Sequence, residues 1–412
     1  MKKITVNILI LLSSYLSQAN AELSPETATK YKQDLEFYLS TVKNNYAYFD
    51  KKKTDWGKVT DFAWQNFDQV TNYADFLTLI ERLQLELYDN HVQLLNSTPY
   101  SPKLLPSSAD IYAEYKNNKA SVINLLRGSA AHQQLELGDE IIAINQKPTL
   151  KAIDRYIGTS FDSIDDEIRT WALNVTLAGD RGKPRSITVK RSGKKLTLSL
   201  AETQFMSFDT SLFSEQIDSI GYIKFNNSLG NNSILEEFPT LLESFKETEG
   251  LILDLRFTSG GGNSLVARSI LGHFVDKDSF YQKHEYPNDL KEYGIKRSWA
   301  EIVSPLKPYY SKPVVVLVNQ WTGSMGEGTA LGFDHIGATV IGTKMGQLLG
   351  SMWDYRMPNS NIGFKISTQK MYHVNGTPRE DYRPKIQVKI SDKKGDEILK
   401  RALKYLKTIN TK

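Results

Sequence analysis

Val314-Val315-Val316-Leu317-Val318-Asn319-Gln320-Trp321-Thr322-Gly323-Ser324-Met325-Gly326-Glu327 is the stretch that decides how the chain reads. Five consecutive apolar residues, four of them β-branched, predict a buried strand. The polar, glycine-containing turn that follows ends the strand, and a helix is predicted from there to about residue 336. Residues 338–341, Ala-Thr-Val-Ile, read as the next strand.

The same alternation extends upstream. Residues 220–225 read as the first strand of this unit, and Ile234, Phe238, Leu241, Leu242 and Phe245 follow at helical spacing, with Pro239 near that helix's start. Residues 251–255 form a short apolar strand interrupted by Asp254, then Gly260-Gly261-Gly262 leads into a helix over 265–274. Strands alternating with helices imply right-handed crossovers and a largely parallel sheet, an α/β unit whose sites collect at the strands' carboxyl ends. Both glycine-containing turns lie at such ends.

Nearer the amino terminus the period changes. Residues 25–87 read as helical, with Phe76, Ile80, Leu83 and Leu87 on one buried stripe. Tyr88-Asp89-Asn90-His91 closes that unit, so a histidine arrives just past a helix and before an extended stretch at 92–95. Residues 101–201 read as short strands at 122–126, 141–144, 187–191 and 194–198, the last two joined by the hairpin turn Ser192-Gly193. Residues 160–183 read as an insertion. The expected domains are 22–100 (helical), 101–205 (β-rich) and 206–412 (α/β core).

At 412 residues the chain has room for two or three domains, and 40% hydrophobic with 24% charged residues is the balance of a soluble globular protein. The net charge of +4 is spread along the chain, which excludes nucleic acid as the indicated partner. The absence of cysteine removes thiol nucleophiles, disulfides and thiolate metal sites together. His284-Glu285 lacks the second histidine of a helical zinc motif, so no metal or other cofactor is expected. Met1-Lys2-Lys3, a mostly apolar run at 4–16 and Ala19-Asn20-Ala21 predict a signal peptide over 1–21, a mature start near Glu22, a periplasmic or secreted location and no stable membrane anchor.

Gly260-Gly261-Gly262 fits neither a dinucleotide fingerprint nor a phosphate loop. What glycine offers there is backbone N–H groups that approach a developing oxyanion closely. Ser324 is placed like a nucleophile at a strand-to-helix turn, although a serine there also reads as a helix N-cap. It is not a G-x-S-x-G elbow, because Gly323 directly precedes it.

Gly128-Ser129-Ala130-Ala131, then Leu135 to Asn145 in the pattern L-x-x-G-D-x-I-x-x-I-N, resembles a bacterial PDZ domain, with Gln146 where that family has glycine. The resemblance implies a sheet edge, expected at 122–126 and neighbouring residues, that adds extended peptide C-termini.

Asp254-Leu255-Arg256 with Gly260-Gly261, the strand 315–319 and Ser324-Met325-Gly326-Glu327 resembles the core of the S41 serine peptidases, the C-terminal processing and tricorn-type proteases. Residues 45–50, Asp55-Trp56 and Asp89-Asn90-His91 resemble that family's amino-terminal region. The resemblance implies a ClpP/crotonase-like α/β core with a helical amino-terminal unit and an inserted PDZ-like domain. It also implies hydrolysis of polypeptide substrates, with Ser324 as nucleophile and Met325 with Gly260 or Gly261 as the oxyanion hole. The lysine base of the processing branch is missing, with Lys344 lying earlier in the chain. The tricorn branch's histidine and late glutamate correspond to His91 and Glu380, with Asn90 in place of a helper serine and His373 as reserve base. An inactive peptide-binding protein on the same fold is the rival reading, and an acyl-CoA enzyme of the crotonase type is disfavoured by the export signal.

Overall fold

The computed structural model describes residues 23–203, 208–391 and 393–410. The expected signal peptide lies outside them. None of the described helices is long and apolar enough to cross a membrane.

Three helices open the described chain: α1 (Pro25–Asn45), α2 (Trp56–Phe67) and α3 (Tyr73–Leu85). Each starts at a side-chain cap. Ser24, Asp55 and Asn72 accept hydrogen bonds from free amides of the first turn. Leu35, Tyr38, Val42, Phe76, Ile80 and Leu83 are fully buried, and their cluster continues onto Phe364 and Ile366 of a strand far along the chain. The helices therefore do not form a free-standing core.

The β-rich part contains β1 (Ile111–Lys116), β2 (Lys119–Leu125), β3 (Glu140–Ile144), β4 (Arg185–Arg191) and β5 (Lys194–Leu200), hydrogen-bonded in that order. The hairpin read at Ser192-Gly193 is the β4–β5 turn. Two features differ from the sequence reading. The stretch 122–126 runs beside β1 on one side, and β2 meets β3 at its start, through Ser121 opposite Glu140 and the Val122 backbone bonded to Asp139 and Gly138. The open side belongs to β1, whose partly charged sequence Ile-Tyr-Ala-Glu-Tyr-Lys carries a weak strand signal. The apparent insertion at 160–183 contains a helix, α4 (Asp166–Ala178), packed on β1.

The α/β part has β6 (Leu212–Ile217), β7 (Ile220–Phe225), β8 (Gly250–Asp254), β9 (Val314–Val318) and β10 (Thr339–Gly342) in consecutive positions, with Ile386–Gln387 beyond β10. Every pairing from β7 onward is parallel, and β6 is antiparallel. Helices α5 (Ile234–Ser244), α6 (Ser264–Gly272) and α7 (Met325–His335) bury one face, and α8 (Glu397–Asn410) covers the other through Ile398, Ala402 and Leu406. Residues 251–254 and 315–318 are all buried, as strands of a doubly covered parallel sheet require.

A third sheet joins Gln93–Leu94, Gly363–Tyr372, Ser279–Tyr286 and Arg297–Val303, with Ser351–Arg356 on Gly363–Tyr372. The short strand after His91 thereby pins the end of the helical unit to the segment that follows the core.

Candidate active site

β9 delivers its chain to a turn that other backbones hold tightly. The Thr322 hydroxyl donates to the Leu255 carbonyl at 2.9 Å, and the Gly323 N–H donates to the Thr258 carbonyl at 2.8 Å. This locks the turn after β9 against the turn after β8. The approach is too close for side chains: a Cβ on Gly323 would lie 2.7 Å from the Ser259 carbonyl oxygen, and one on Gly262 would lie 2.4 Å from the Cβ of Met325. Gly262 of the 258–262 turn thus stands directly beside the first residue of α7.

Ser324 occupies the N-cap position with φ 52° and ψ −110°, outside the regions ordinary residues populate. A non-glycine residue held there stores about 1–3 kcal/mol of strain and persists only where its surroundings impose it. The Glu327 carboxylate is a large part of those surroundings. Fully buried, it accepts hydrogen bonds from the Ser324 N–H (2.8 Å), the Gln347 N–H (2.8 Å) and the Leu348 N–H (3.2 Å). Burial pushes its pKa up to about 7, while the Arg379 charge and the three N–H groups oppose that rise.

His91 reaches the same point from the other side of the molecule. The Asp89 carboxylate accepts the His91 backbone N–H at 2.8 Å and the Tyr46 hydroxyl at 2.7 Å, which fixes the turn after α3. The imidazole is buried, with Nε2 3.2 Å from Ser324 Oγ and Nδ1 2.7 Å from the Leu349 carbonyl oxygen. A carbonyl only accepts, so Nδ1 carries the proton and Nε2 presents a lone pair to the serine hydroxyl. Burial first, then the Arg379 charge, lowers the imidazole to about 3.

The Leu349 carbonyl is itself held. Ser367 Oγ donates to it at 2.7 Å, and Arg379 Nη2 donates to the flanking carbonyls of Leu348 and Gly350, both at 2.7 Å. Glu327 grips the amides of this loop and Arg379 its carbonyls. The loop that orients His91 is therefore tied to the turn that carries Ser324.

A cavity of about 520 Å³ opens on these groups, lined among others by His91, Ser324, Met325, residues 259–264, Leu348 and Arg379. The structure brings Ser324, His91, Met325, Gly260 and Gly261 to it. It does not bring Glu380 to His91: the Glu380 carboxylate pairs with Lys51 at 2.6 Å and lines a separate cavity of about 710 Å³. The position expected of that glutamate is filled by the Leu349 carbonyl, an atom no side-chain motif announces. Lys344 also lines the second cavity, exposed and away from Ser324. His373 accepts from the Asn375 N–H at 3.0 Å and faces Asp334 at 3.3 Å near the far end of α7. His284 lines the Ser324 cavity and pairs with Glu301 at 2.8 Å. Sequence reasoning missed Glu327 and Arg379. The S-x-x-E spacing of a capping box was the available signal for Glu327, and none pointed to Arg379.

Residues 219–388 match the family model described as peptidase family S41. The carboxy-terminal processing protease CtpB of Bacillus subtilis (strain 168) is 27% identical over 337 residues, 76% of this chain, and the match spans 65% of that relative's length. Mature CPAF superposes with a TM-score of 0.60 at 15% identity, covering 93% of this chain and 97% of that one. The photosystem II D1 C-terminal processing protease superposes with a TM-score of 0.55 at 16% identity, covering 87% and 93%. At such identities these solved structures support a shared fold.

Proposed function

With residues 219–388 matching the model of peptidase family S41, we propose that the chain is a serine endopeptidase whose nucleophile is Ser324 and whose general base is His91. The carrying observation is the paired geometry of the imidazole, with Nε2 at 3.2 Å from the serine hydroxyl and Nδ1 at 2.7 Å from a fixed carbonyl. As Ser324 Oγ attacks a peptide carbonyl, its proton passes to Nε2, and the same nitrogen then returns it to the leaving amine. Water repeats the cycle on the acyl-enzyme. The Met325 N–H, free at the first turn of α7, and an N–H of Gly260 or Gly261 receive the oxyanion.

In this mechanism the Leu349 carbonyl selects the imidazole tautomer. It offers partial rather than full negative charge to the imidazolium, so stabilisation there is weaker than a carboxylate would give. Polypeptides are the substrates this chemistry serves. The core is read as ClpP/crotonase-like, the β-rich part as PDZ-like, and the amino-terminal pattern as an export signal that places the protein in the periplasm or outside the cell.

The test is hydrolysis of an unstructured polypeptide such as β-casein. The intact protein should cleave it at internal bonds and Ser324→Ala should not. Binding without cleavage by the intact protein would favour the inactive peptide-binding alternative.

A further inference from the structure

Among the described strands of the β-rich sheet, β1 lies at one end of the order, with β2 on its inner side. The backbone groups of Ala113 and Tyr115 that point outward are nevertheless occupied. The Asn174 side-chain amide of α4 accepts from the Ala113 N–H at 2.9 Å and donates to the Ala113 carbonyl at 2.9 Å. One turn earlier on α4, Thr170 Oγ1 accepts from the Tyr115 N–H at 2.9 Å and faces the Tyr115 carbonyl at 3.3 Å.

This is the bonding pattern of an added strand. In an antiparallel pair one residue exchanges both of its backbone hydrogen bonds with its partner, and the next such position lies two residues on. Asn174 supplies an acceptor and a donor to one residue, as a peptide unit would, and Thr170 does so at the residue two positions along. The spacings agree, since four residues of helix rise about 6 Å and two residues of strand about 6.6 Å. Asn174 also donates to the Thr170 carbonyl at 2.8 Å, which fixes its amide orientation. Asn174 is buried, so the bonds are not shared with bulk water.

We infer that α4 acts as an intramolecular strand surrogate that closes the β1 edge, so that this module takes an extended peptide by strand addition only when α4 lifts from β1. A peptide and α4 compete for the same four backbone groups. The apparent affinity is therefore reduced by the small fraction of molecules in which the edge is open. The inference does not rest on the chemistry assigned to Ser324, and it concerns the β1 edge at 111–116 rather than the stretch 122–126.

The experiment uses the Ser324→Ala protein, so that nothing is cleaved, and a fluorescein-labelled peptide of alternating valine and threonine with a free carboxyl end. Asn174→Asp keeps the side-chain shape and an acceptor for the Ala113 N–H but loses the donor to the Ala113 carbonyl. Thr170→Val removes both bonds to Tyr115. By fluorescence polarisation the parent should bind weakly and the double variant at least about tenfold more tightly, as expected when the open fraction rises by that factor. Hydrogen exchange provides a second reading. The Ala113 and Tyr115 amides should be as protected as those of β2 in the parent and exchange faster in Asn174→Asp alone, whether or not the double variant folds. Equal peptide affinity in parent and variants, unprotected Ala113 and Tyr115 amides in the parent, or released amides without a gain in affinity would each overturn the inference.

Discussion

The Nδ1 atom of His91 and the carbonyl oxygen of Leu349 lie 2.7 Å apart, and this single contact determines which nitrogen of the imidazole faces Ser324. The loop that provides the carbonyl is fastened by Glu327 and Arg379. Orientation of the base thus depends on backbone held by two charged side chains, and the predictions below separate that arrangement from a carboxylate-oriented one.

His91→Ala should lower kcat by about 10² to 10⁴-fold, the usual contribution of a general base, while Lys344→Ala and Glu380→Gln change it little. Lys344 and Glu380 line the other cavity. Steady-state hydrolysis of an internally quenched peptide measures all three. Strong loss in Glu380→Gln with kcat preserved in His91→Ala would reverse the assignment.

Glu327→Gln substitutes an amide for a carboxylate that accepts three backbone N–H groups. Displacing the Ser324 turn and the Leu349 loop relative to each other should lower kcat by up to about 10²-fold, with KM nearly unchanged, because geometry rather than binding is disturbed. A variant with unchanged kcat and raised KM would assign Glu327 to substrate binding instead.

The two buried titrating groups should affect stability with opposite sign. His91 is lowered in the folded protein from its ordinary 6.5 to about 3. Between those values the unfolded chain takes up a proton that the folded chain does not, so this contribution is lost as pH falls below 6.5. Glu327 is raised from 4.5 to about 7. In that window the folded chain holds the extra proton, so its contribution declines as pH rises from 4.5 towards 7. Urea unfolding of intact protein, His91→Ala and Glu327→Gln between pH 5 and 8 reads both: the first variant should flatten the acid-side loss and the second the decline toward neutrality.

Ser324→Gly should be inactive yet more stable than Ser324→Ala by about 1 kcal/mol, because glycine relieves the strained backbone, offset in part by its unfolded-state entropy. Thermal unfolding of the two proteins under one buffer condition measures the difference. Equal midpoints would mean that the strain at φ 52° is no larger than the entropic cost of glycine at this residue.

Much of this architecture is legible in the sequence where burial writes an unambiguous pattern. β9 is a short uninterrupted apolar run and β8 an apolar run closed by Asp254, and the turns after them announce themselves through glycine. The third sheet was not legible, because Ser279–Tyr286 and Arg297–Val303 carry polar and charged residues throughout, with no clean alternation. Local context alone read Ser324 as a helix cap, and it was the resemblance to the S41 peptidases that named Ser324 and His91, which the structure holds 3.2 Å apart. Glu380 could not be placed correctly, since its carboxylate is taken up by Lys51, a partner 329 positions away. The Leu349 carbonyl was invisible for a simpler reason: a backbone atom has no letter in the sequence.

The most direct test of the account is peptide mapping by mass spectrometry after treatment with a fluorophosphonate. A phosphonyl adduct should form on the peptide containing Ser324, vanish in Ser324→Ala, and form far more slowly in His91→Ala, since the base activates the serine. An adduct that forms on Ser324 equally fast without His91, or hydrolysis of peptide by a protein in which Ser324 is never labelled, would contradict it.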